Sequence, residues 1–509
     1  MIASTSVPYT LIDLIGRAPA DSTAVILPEQ GIRVSYGSLR AQIQHVAGQL
    51  AAAGVGRGDR VASALPNGLP AIVSFLAASV AGTSAPLNPA YKEDEFRFYL
   101  EDTAAKVLLL PPEGADEARR AAEQLAVPIF AIDMDSAGIV SLRGIDGVKP
   151  VAPPSVDDIA LVLHTSGSTG RPKRVPLKHA NLSISAQNVA RHYALSADDV
   201  SLCVMPLFHV HGLVASTLAT LATGGAVVVP AKFNPLSFWR VARDYGVTWY
   251  SAVPTLHQLL LARVSDKARR PEGTEKLRFI RSCSAALPPQ VMADLEQAFG
   301  APVLEAYGMT EAAHQMASNP LPPRAHKAGS VGPGSDVQIS IMDAEGRHQA
   351  AGQQGEVVIK GPNVITGYEN NPEANAKSFT DGWFRTGDQG FLDAEGYLHL
   401  VARIKELINR GGEKISPREI DEVLLAHPAV AEAVCFGVPH GTWGEEVEAA
   451  VVLREGAGAS DAELLAYCKE RLADFKRPKQ IHVTTAIPRT ATGKIQRGVV
   501  AKTYAQNAS

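Results

Sequence analysis

Apolar residues along most of the chain alternate between helical spacing and the spacing of strands. Residues 38–53 and 69–81 have helical periodicity, and residues 59–65 between them are typical of a short strand. Apolar, β-branched runs separated by helical stretches follow at 158–164, 225–230, 247–253 and 276–280. This alternation predicts a doubly wound α/β architecture with largely parallel sheets. The segment VAPPS (151–155) predicts a linker between two α/β subdomains.

The pattern changes after about residue 400. A helical stretch at 417–426 precedes apolar strands at 433–439 and 446–454, then a helix near 463–472 and a strand at 480–484. This is a compact α+β unit of about a hundred residues, an ordinary domain size. We therefore predict an α/β protein with a large N-terminal domain of doubly wound α/β subdomains (1–402) and a small, mobile C-terminal α+β domain (403–509).

Composition narrows the class of protein. A chain of 509 residues is too long for one hydrophobic core, and 46% hydrophobic with 20% charged residues is ordinary for a globular protein. The net charge is −4 with no basic stripe, which argues against a nucleic-acid partner. The four cysteines form no CxxC pair, so we expect neither a zinc site nor a disulfide framework.

The two termini and the most apolar stretch of the chain provide evidence about cellular location. The N-terminus lacks the apolar core of a signal peptide, and residues 71–81 fall short of the roughly 18 apolar residues of a membrane span. The C-terminus ends QNAS rather than in an SKL-type peroxisomal signal. We expect a cytoplasmic protein with no membrane span and no obligate protein partner.

The strongest local motif is HTSGSTGRPK, residues 164–173, which lies between a predicted strand and a helix. Small residues let backbone N–H groups approach phosphate oxygens, hydroxyls add donors, and Lys173 adds positive charge. The motif lacks the GxxxxGK[ST] spacing of a Walker A loop. The alternative is a flexible Ser/Gly turn, which the position between strand and helix and the terminal cation disfavour.

Four further segments occur in order after this loop: YGMTE (307–311), FRTGD (384–388), RIKELI (403–408) and TATGK (490–494). Together the five resemble the signatures of the adenylate-forming superfamily, which includes acyl-CoA synthetases, firefly luciferase and peptide-synthetase adenylation domains. The resemblance implies an ATP-dependent acid–CoA ligase, which forms an acyl-adenylate and then an acyl-CoA thioester, with release of AMP and pyrophosphate. ATP, Mg²⁺ and coenzyme A are the implied cofactors and co-substrates.

The resemblance also implies roles for individual residues. Glu311 would bind magnesium, Thr310 the α-phosphate, and Asp388 with Arg403 the ribose. Tyr307 offers a ring face to adenine, and the small residues after Ser284 would close over its other face. The full nucleotide-binding set is Thr165, Ser166, Gly167, Ser168, Thr169, Gly170, Lys173, Ala285, Glu305, Ala306, Tyr307, Thr310, Asp388, Arg403 and Lys494.

In the same superfamily a lysine of the C-terminal domain reaches the forming acyl phosphate, and Lys494 matches it. Lys405 matches the residue about which that domain pivots, so we expect two domain orientations. The second would present Arg410, Gly411 and Gly412 to coenzyme A. Lys232 matches a basic position that touches the nucleotide end of CoA in plant relatives, although a solvated surface lysine is nearly as plausible.

Four stretches bear on the acid: PLFHVHG (206–212), RFIRSCSAAL (278–287), LEAYGMTEAAHQM (304–316) and RIKELINRGGEKISP (403–417). They are most similar to the oxalate–CoA ligases. A small dicarboxylate needs hydrogen-bond donors for the carboxylate that does not react, and imidazoles can donate and become cationic beside an anion. We select His209, Ser284 and His314 as candidate residues for binding the acid, with His211 in reserve. For each histidine, the alternative is a core residue whose hydrogen bonds are satisfied within the fold.

Other functions remain open at this stage. The chain could activate another small or aromatic acid (malonate-like, short-chain or 4-coumarate-like), load a carrier protein, or bind nucleotide without catalysis. No carrier-like segment is fused, and Lys494, Glu311 and Asp388 are all intact, which disfavours the last two. Arg174 departs from the superfamily, where glycine is usual, and could alter the flexibility of the phosphate loop.

Overall fold

The computed structural model describes residues 6–165, 172–264, 269–490 and 493–505. Within these residues it contains fourteen α-helices and twenty-five strands. The helices are α1 (Leu11–Gly16), α2 (Tyr36–Ala52), α3 (Leu69–Ala81), α4 (Glu93–Asp102), α5 (Asp116–Gln124), α6 (His179–His192), α7 (Ala219–Leu221), α8 (Phe238–Tyr245), α9 (Pro254–Leu261), α10 (Pro289–Phe299), α11 (Pro372–Ser378), α12 (Pro417–Leu425), α13 (Asp461–Arg471) and α14 (Arg497–Ala505). A π-helix at His211–Leu218 runs into α7.

The strands are β1 (Thr23–Leu27), β2 (Ile32–Ser35), β3 (Arg60–Ser63), β4 (Thr83–Pro86), β5 (Ala105–Leu110), β6 (Ile129–Met134), β7 (Val140–Leu142), β8 (Ile159–Thr165), β9 (Lys173–Lys178), β10 (Val200–Cys203), β11 (Ala226–Val228), β12 (Trp249–Ala252), β13 (Phe279–Ser282), β14 (Val303–Met309), β15 (His314–Ser318), β16 (Gln338–Met342), β17 (Gly355–Lys360), β18 (Phe379–Thr380), β19 (Trp383–Leu392), β20 (Leu398–Arg403), β21 (Ile408–Arg410), β22 (Glu413–Ile415), β23 (Val430–His440), β24 (Gly444–Leu453) and β25 (Gln480–Val483).

Two largely parallel sheets form the bulk of the large domain. The first has seven strands in the order β7-β6-β5-β3-β4-β8-β9, and the central sheet has eight, in the order β15-β14-β13-β12-β10-β11-β1-β2. In both, the inner strands pair in parallel and the edge strands β7, β9, β2 and β15 pair antiparallel. The alternating pattern therefore predicted the main architecture correctly.

Helices lie between the sheets and on their outer faces. In β5, Val107 and Leu109 face a core shared with α2, α3 and α6, while Leu108 and Leu110 face α4 and α5. Successive strand residues point to opposite faces, so strands covered on both sides are continuously apolar. The outer face of the central sheet packs against α8, α9 and α10. The result is a five-layered αβαβα arrangement.

The segment at residues 151–155 does not link two subdomains, so that prediction is wrong. It lies between β7 and β8, and both strands belong to the seven-stranded sheet. The chain moves between the sheets elsewhere: β1 and β2 join the central sheet, the next seven strands form the other sheet, and β10 returns to the central one. Proline-rich composition indicated an irregular connection but could not show which sheet the next strand joins.

Two smaller sheets complete the fold. The antiparallel sheet β16–β20, which the sequence analysis did not predict, ends the large domain, and β21–β25 with α12–α14 form a smaller C-terminal domain. In that domain α13 begins with a capping box: the Ser460 hydroxyl accepts the Glu463 N–H at 3.2 Å, and the Glu463 carboxylate accepts the Ser460 N–H at 2.8 Å. No helix within the described residues is both long and apolar enough to span a membrane.

Candidate functional site

A cavity of about 1090 Å³ opens between the large domain and the C-terminal domain. It lies at the carboxyl ends of the parallel strands, where open α/β sheets commonly bind ligands. Half of the predicted site residues that the structure describes line it: Thr165, Lys173, His209, Ser284, Thr310, Glu311, His314, Arg403, Lys405 and Lys494. We call the region of Thr165, Lys173, Thr310, Glu311, Asp388 and Arg403 the carboxylate end, and that of His209, His211, Ser284, His314 and Arg281 the histidine end.

Glu311 anchors the carboxylate end. It lies in a 3₁₀ turn (Thr310–Ala312) directly after β14, and one of its oxygens accepts hydrogen bonds from the Tyr368 hydroxyl at 2.9 Å and the Thr165 hydroxyl at 3.4 Å. Lys173 lies opposite Thr165 in the β8–β9 pair, with its ammonium 4.7 Å from the Tyr368 ring centre. The predicted phosphate-loop residues Ser166, Gly167, Ser168, Thr169 and Gly170 lie outside the described residues.

Glu311 at the cavity suits magnesium better than a metal that needs a complete set of protein ligands. Magnesium is usually held by one or two carboxylates together with substrate phosphates. Among the described residues no group of three or more His, Cys, Asp or Glu side chains is arranged to hold a metal ion. Glu311, beside the phosphate-loop hairpin, matches the first arrangement.

Asp388 is tied to two neighbours. It accepts a hydrogen bond from the Tyr307 hydroxyl, and its other oxygen lies 3.1 Å from Nε of Arg403. Burial and the adjacent Asp388 charge raise the pKa of Tyr307 well above its usual value, so Tyr307 remains the donor. Tyr307 and Asp388 lie beside the cavity rather than in its lining, next to Gly387 and Arg403, which do line it.

The other predicted adenine-side residues differ in exposure. Ala285 is exposed, and Ala306 is buried in β14. Glu305 is also buried; one carboxylate oxygen accepts the Leu287 N–H at 3.0 Å, and the other has no partner among the described residues. Burial raises the pKa of Glu305 to about 7.

Lys494 enters the cavity on a tight turn of the C-terminal domain. The Thr490 N–H donates to the Lys494 carbonyl at 2.8 Å, and Gly493 has a φ of +84°. A Cβ on Gly493 would lie 3.0 Å from Val253 Cγ2 of the large domain, so the turn is seated closely against that domain. Burial, and then the nearby Arg403, lower the pKa of Lys494.

The histidine end is built around two residues with left-handed backbone. Ser284 has a φ of +75° and His314 a φ of +120°, backbone conformations that residues other than glycine rarely adopt. Such strain persists only where surrounding structure enforces it, often at functional sites. Both residues line the cavity.

Hydrogen bonds set the tautomers of the three histidines. Nδ1 of His209 accepts the His211 N–H at 3.2 Å, and Nδ1 of His314 faces an Arg281 donor at 3.4 Å, so each carries its proton on Nε2. His211 is fully buried; its Nε2 faces Arg281 and the Ser251 hydroxyl, and its Nδ1 lies 3.0 Å from the Ser284 hydroxyl. His211 therefore acts through Ser284 rather than lining the cavity.

The sequence analysis expects that these imidazoles can become cationic beside an anion; without one, the structure lowers their pKa values. Burial, and then Lys494, lower the pKa of His209 to about 3. Burial, and then Arg281, hold the pKa values of His211 and His314 well below 6.5. The sequence analysis did not include the buried cation behind them. The histidine end offers neutral donors.

The predicted CoA-binding residues lie elsewhere. Lys232 is exposed, and neither it nor Arg410, Gly411 or Gly412 lines the cavity. A Cβ on Gly411 would come within 2.9 Å of the Trp443 ring, and the Arg410 guanidinium lies 5.6 Å from the centre of that ring.

Three residues were given no structural role in the sequence analysis. Arg281 lies in the quoted segment RFIRSCSAAL, where an arginine inside an apolar strand was an available signal. Tyr368 had none, since it approaches Glu311 only through the fold. Arg174, whose effect on the loop was left open, donates to the Asp102 carbonyl at 2.5 Å and lies 3.3 Å from its carboxylate, which fixes β9 against α4.

Comparison with known proteins identifies the class. The AMP-binding enzyme family matches residues 15–369, and the AMP-binding enzyme C-terminal domain matches residues 419–494. An oxalate–CoA ligase of Arabidopsis thaliana is 49% identical, covering 92% of this chain and 93% of its own. One of Saccharomyces cerevisiae is 43% identical, covering 96% of each. The crystal structure of ATP-bound MatB from Rhodopseudomonas palustris superposes with a TM-score of 0.90 at 32% identity, covering 99% of this chain and all of that one.

The chain belongs to the AMP-binding enzyme family, within the adenylate-forming superfamily. It is an ATP-dependent, AMP-forming acid–CoA ligase acting on small-molecule substrates, as the five motifs predicted.

Proposed function

We propose that this ligase activates oxalate. In the first half-reaction an oxalate oxygen attacks the α-phosphorus of ATP, forming oxalyl-adenylate as pyrophosphate leaves. In the second, the thiol of coenzyme A loses its proton and attacks the activated carbonyl carbon, forming oxalyl-CoA as AMP leaves.

The observation that carries the proposal is the polarity of the histidine end. The acid would meet His209, Ser284 and His314, each able to donate a hydrogen bond, where a fatty or aromatic acid needs apolar walls. Oxalate keeps a second carboxylate after adenylation, and burying that charge without donors is prohibitive. The two oxalate–CoA ligases among the relatives give independent support.

Adenylation brings together two anions, so the residues must position and neutralise them. Thr310 would donate to the α-phosphate, Lys173 and the loop after Thr165 would hold the outer phosphates, and Lys494 would stabilise the charge that develops between acid and phosphate. Glu311 would bind Mg²⁺, which supplies further neutralisation of phosphate charge. Asp388, with Arg403 and Tyr307, would hold the ribose and adenine.

Thioester formation would use a second orientation of the C-terminal domain. We propose a domain boundary at Arg403, where β20 ends, and a pivot at the exposed Lys405 in the following turn, Ile404–Glu406. The seating of Gly493 against Val253 fits the adenylating orientation, with Arg410, Gly411 and Gly412 away from the cavity. Rotation would withdraw Lys494 and bring that loop to coenzyme A, with Lys232 near its nucleotide.

A panel of acids tests the proposal. Pyrophosphate release is measured with oxalate, malonate, butyrate and 4-coumarate, with and without coenzyme A and magnesium. We expect kcat/KM to be highest for oxalate, release to require magnesium, and CoA to be consumed. A preference for butyrate or 4-coumarate would contradict the proposed substrate and leave only the ligase class. Turnover in excess chelator would contradict the magnesium assignment.

A further inference from the structure

The histidine end rests on a buried arginine that has no carboxylate partner within the described chain. Arg281 lies on β13 between two parallel neighbours and is 0% exposed. No Asp or Glu of the described residues forms an ion pair with it, whereas Arg278, three residues earlier on the chain, pairs with Asp199 at 2.7 Å. A buried charge without a counter-charge destabilises a fold, so its presence calls for another explanation.

The partners of the Arg281 guanidinium are all uncharged acceptors. They are the Tyr193 hydroxyl at 3.0 Å, the Gln315 carbonyl oxygen at 3.0 Å, the Ser251 hydroxyl at 2.9 Å, and His211 Nε2 and His314 Nδ1 at 3.4 Å each. These bonds hold the guanidinium in one orientation and leave its positive charge uncompensated.

Two hydrogen-bond routes lead from Arg281 to the cavity. On one, Arg281 donates to His314 Nδ1, which leaves the Nε2–H of His314 as a donor. On the other, Arg281 donates to the Ser251 hydroxyl and to His211 Nε2; the Nδ1–H of His211 then donates to Ser284, whose own hydroxyl proton is directed onward. Each chain is polarised by the cation behind it, which strengthens its last donor.

The charged and titratable groups that act most strongly on these imidazoles are basic as well. Arg281 on β13, Lys494 from the C-terminal domain, His209 from the loop after β10 and His257 on α9 all lower the pKa of His211. Arg281, His211, His209 and Lys494 do the same for His314. The histidine end is therefore a region of positive electrostatic potential, which favours the binding of an anion.

We propose that Arg281 is a positioning residue that determines specificity for acids with a second negative charge. Its fixed charge would be the missing half of an ion pair that the non-reacting carboxylate completes, through one layer of neutral donors. This inference rests on the proposed function, since it concerns the same pocket. A monocarboxylate gives the cation no partner and should be disfavoured.

The test compares three variants. Arg281→Met removes the charge with similar bulk, and Arg281→Lys keeps the charge without the planar fork. Arg278→Met removes a nearby, ion-paired arginine as the matched control. For each, kcat/KM is measured with oxalate, malonate and butyrate at about pH 8 and about pH 6, where both oxalate carboxyls are ionised.

Arg281→Met should lower the oxalate-to-butyrate ratio of kcat/KM by about tenfold to a hundredfold, the loss expected for a charge-assisted interaction, with little change in KM for ATP. Because the cation lowers the pKa values of His211 and His314, its removal raises them. Any change in the oxalate-to-butyrate ratio of Arg281→Met between about pH 8 and about pH 6 should therefore favour oxalate at the lower pH, because an imidazolium would replace part of the lost charge. Arg281→Lys should retain a preference for dianions, and Arg278→Met should keep the wild-type ratio.

Equal losses for oxalate and butyrate in Arg281→Met, or a ratio that falls further at the lower pH, would overturn the proposal in favour of a structural role. If Arg281→Met does not fold, loss of the dianion preference in Arg281→Lys overturns it equally. A wild type that prefers malonate refutes oxalate as substrate and not the role of Arg281. A wild type that prefers oxalate, together with an unchanged ratio in Arg281→Met, refutes only the role of Arg281.

Discussion

At the histidine end of the cavity the charged residue is the cation Arg281 on the central sheet, whereas at the carboxylate end anions and cations alternate and Arg403 lies at the domain boundary. Arg281 is held by five neutral partners and is fully buried. Arg403, in contrast, pairs with Asp388 at 3.1 Å with its side chain about half exposed, at the last residue of β20.

The difference separates what must stay fixed from what must move. Selection of the acid depends on donors whose tautomers and positions do not change, and residues of the large domain supply them. The reaction needs Lys494 in one half and coenzyme A in the other, and a loop on a separate domain can supply this exchange. Variants at the histidine end should therefore alter the choice of acid, and variants at the carboxylate end should alter individual steps for every acid.

The largest expected effect is at Lys494. Lys494→Ala should slow adenylate formation by about 10²–10³-fold, the usual cost of one stabilising donor, and leave thioester formation from supplied acyl-adenylate nearly unchanged. Single-turnover assays of each half-reaction measure this, with the exposed Lys502→Ala as control. Equal loss in both steps would remove the basis for domain alternation.

The next effect concerns magnesium. Glu311→Gln should raise the magnesium concentration needed for half-maximal adenylation by at least about tenfold, because it weakens a metal ligand, and should do so alike for all acids. Titration of magnesium at saturating ATP measures it, against Glu345→Gln, an exposed residue outside the cavity. If the change in magnesium requirement differs between acids, the carboxylate end also takes part in selecting the acid, which contradicts the prediction.

A smaller, selective effect is expected at the histidine end. His314→Ala and His209→Ala should each lower kcat/KM for oxalate by at least about tenfold, with ATP binding little changed, since each removes a donor to a carboxylate. Butyrate, which has no second carboxylate, should lose nothing and could gain. His326→Ala, which removes an imidazole bound to Glu296 outside the cavity, is the matched control. Parallel losses for both acids would show that these histidines do not select the acid.

The smallest expected effect concerns the pH dependence of kcat/KM, which distinguishes the neutral histidines from Lys494. The pKa of His209 is about 3, and burial holds those of His211 and His314 well below 6.5, so none of the three should titrate near 6.5. Because kcat/KM reports the free enzyme, the oxalate profile should show no acid limb near 6.5. The burial-lowered pKa of Lys494 should instead give an alkaline limb below 10.5. An acid limb that disappears in His314→Ala would contradict the neutral imidazoles.

Local patterns in the sequence predicted elements well and their assembly less well. The helix at 69–81 was predicted with its actual limits, Leu69–Ala81, because apolar periodicity and a proline at its start are local signals. The antiparallel sheet β16–β20 was missed, and the segment at 151–155 was misread, because pairing between distant strands leaves no local trace. Of the candidate site, ten predicted residues line the cavity together; Tyr307 and Asp388 lie beside it, and Lys232 and the Arg410–Gly412 loop lie elsewhere.

The motifs could not predict how burial and neighbouring charges change the pKa values of the site residues. The histidines lie together at the cavity, but their lowered pKa values come first from burial and, for His211 and His314, then from Arg281. Burial is a property of the folded sheet. Tyr368 reaches Glu311 from 57 residues away, so no spacing rule connects them.

The interleaved course of the chain has a consequence for how the protein folds. Strand β1 pairs with β11, whose residues follow about two hundred positions later, and β1 with β2 closes one edge of the central sheet. Contacts between such distant residues slow folding, since a long loop must close before they stabilise anything. During synthesis the first hairpin must remain without its sheet until β11 emerges from the ribosome. Chaperone dependence should therefore reside in the large domain, while the contiguous C-terminal domain can form as soon as it is made.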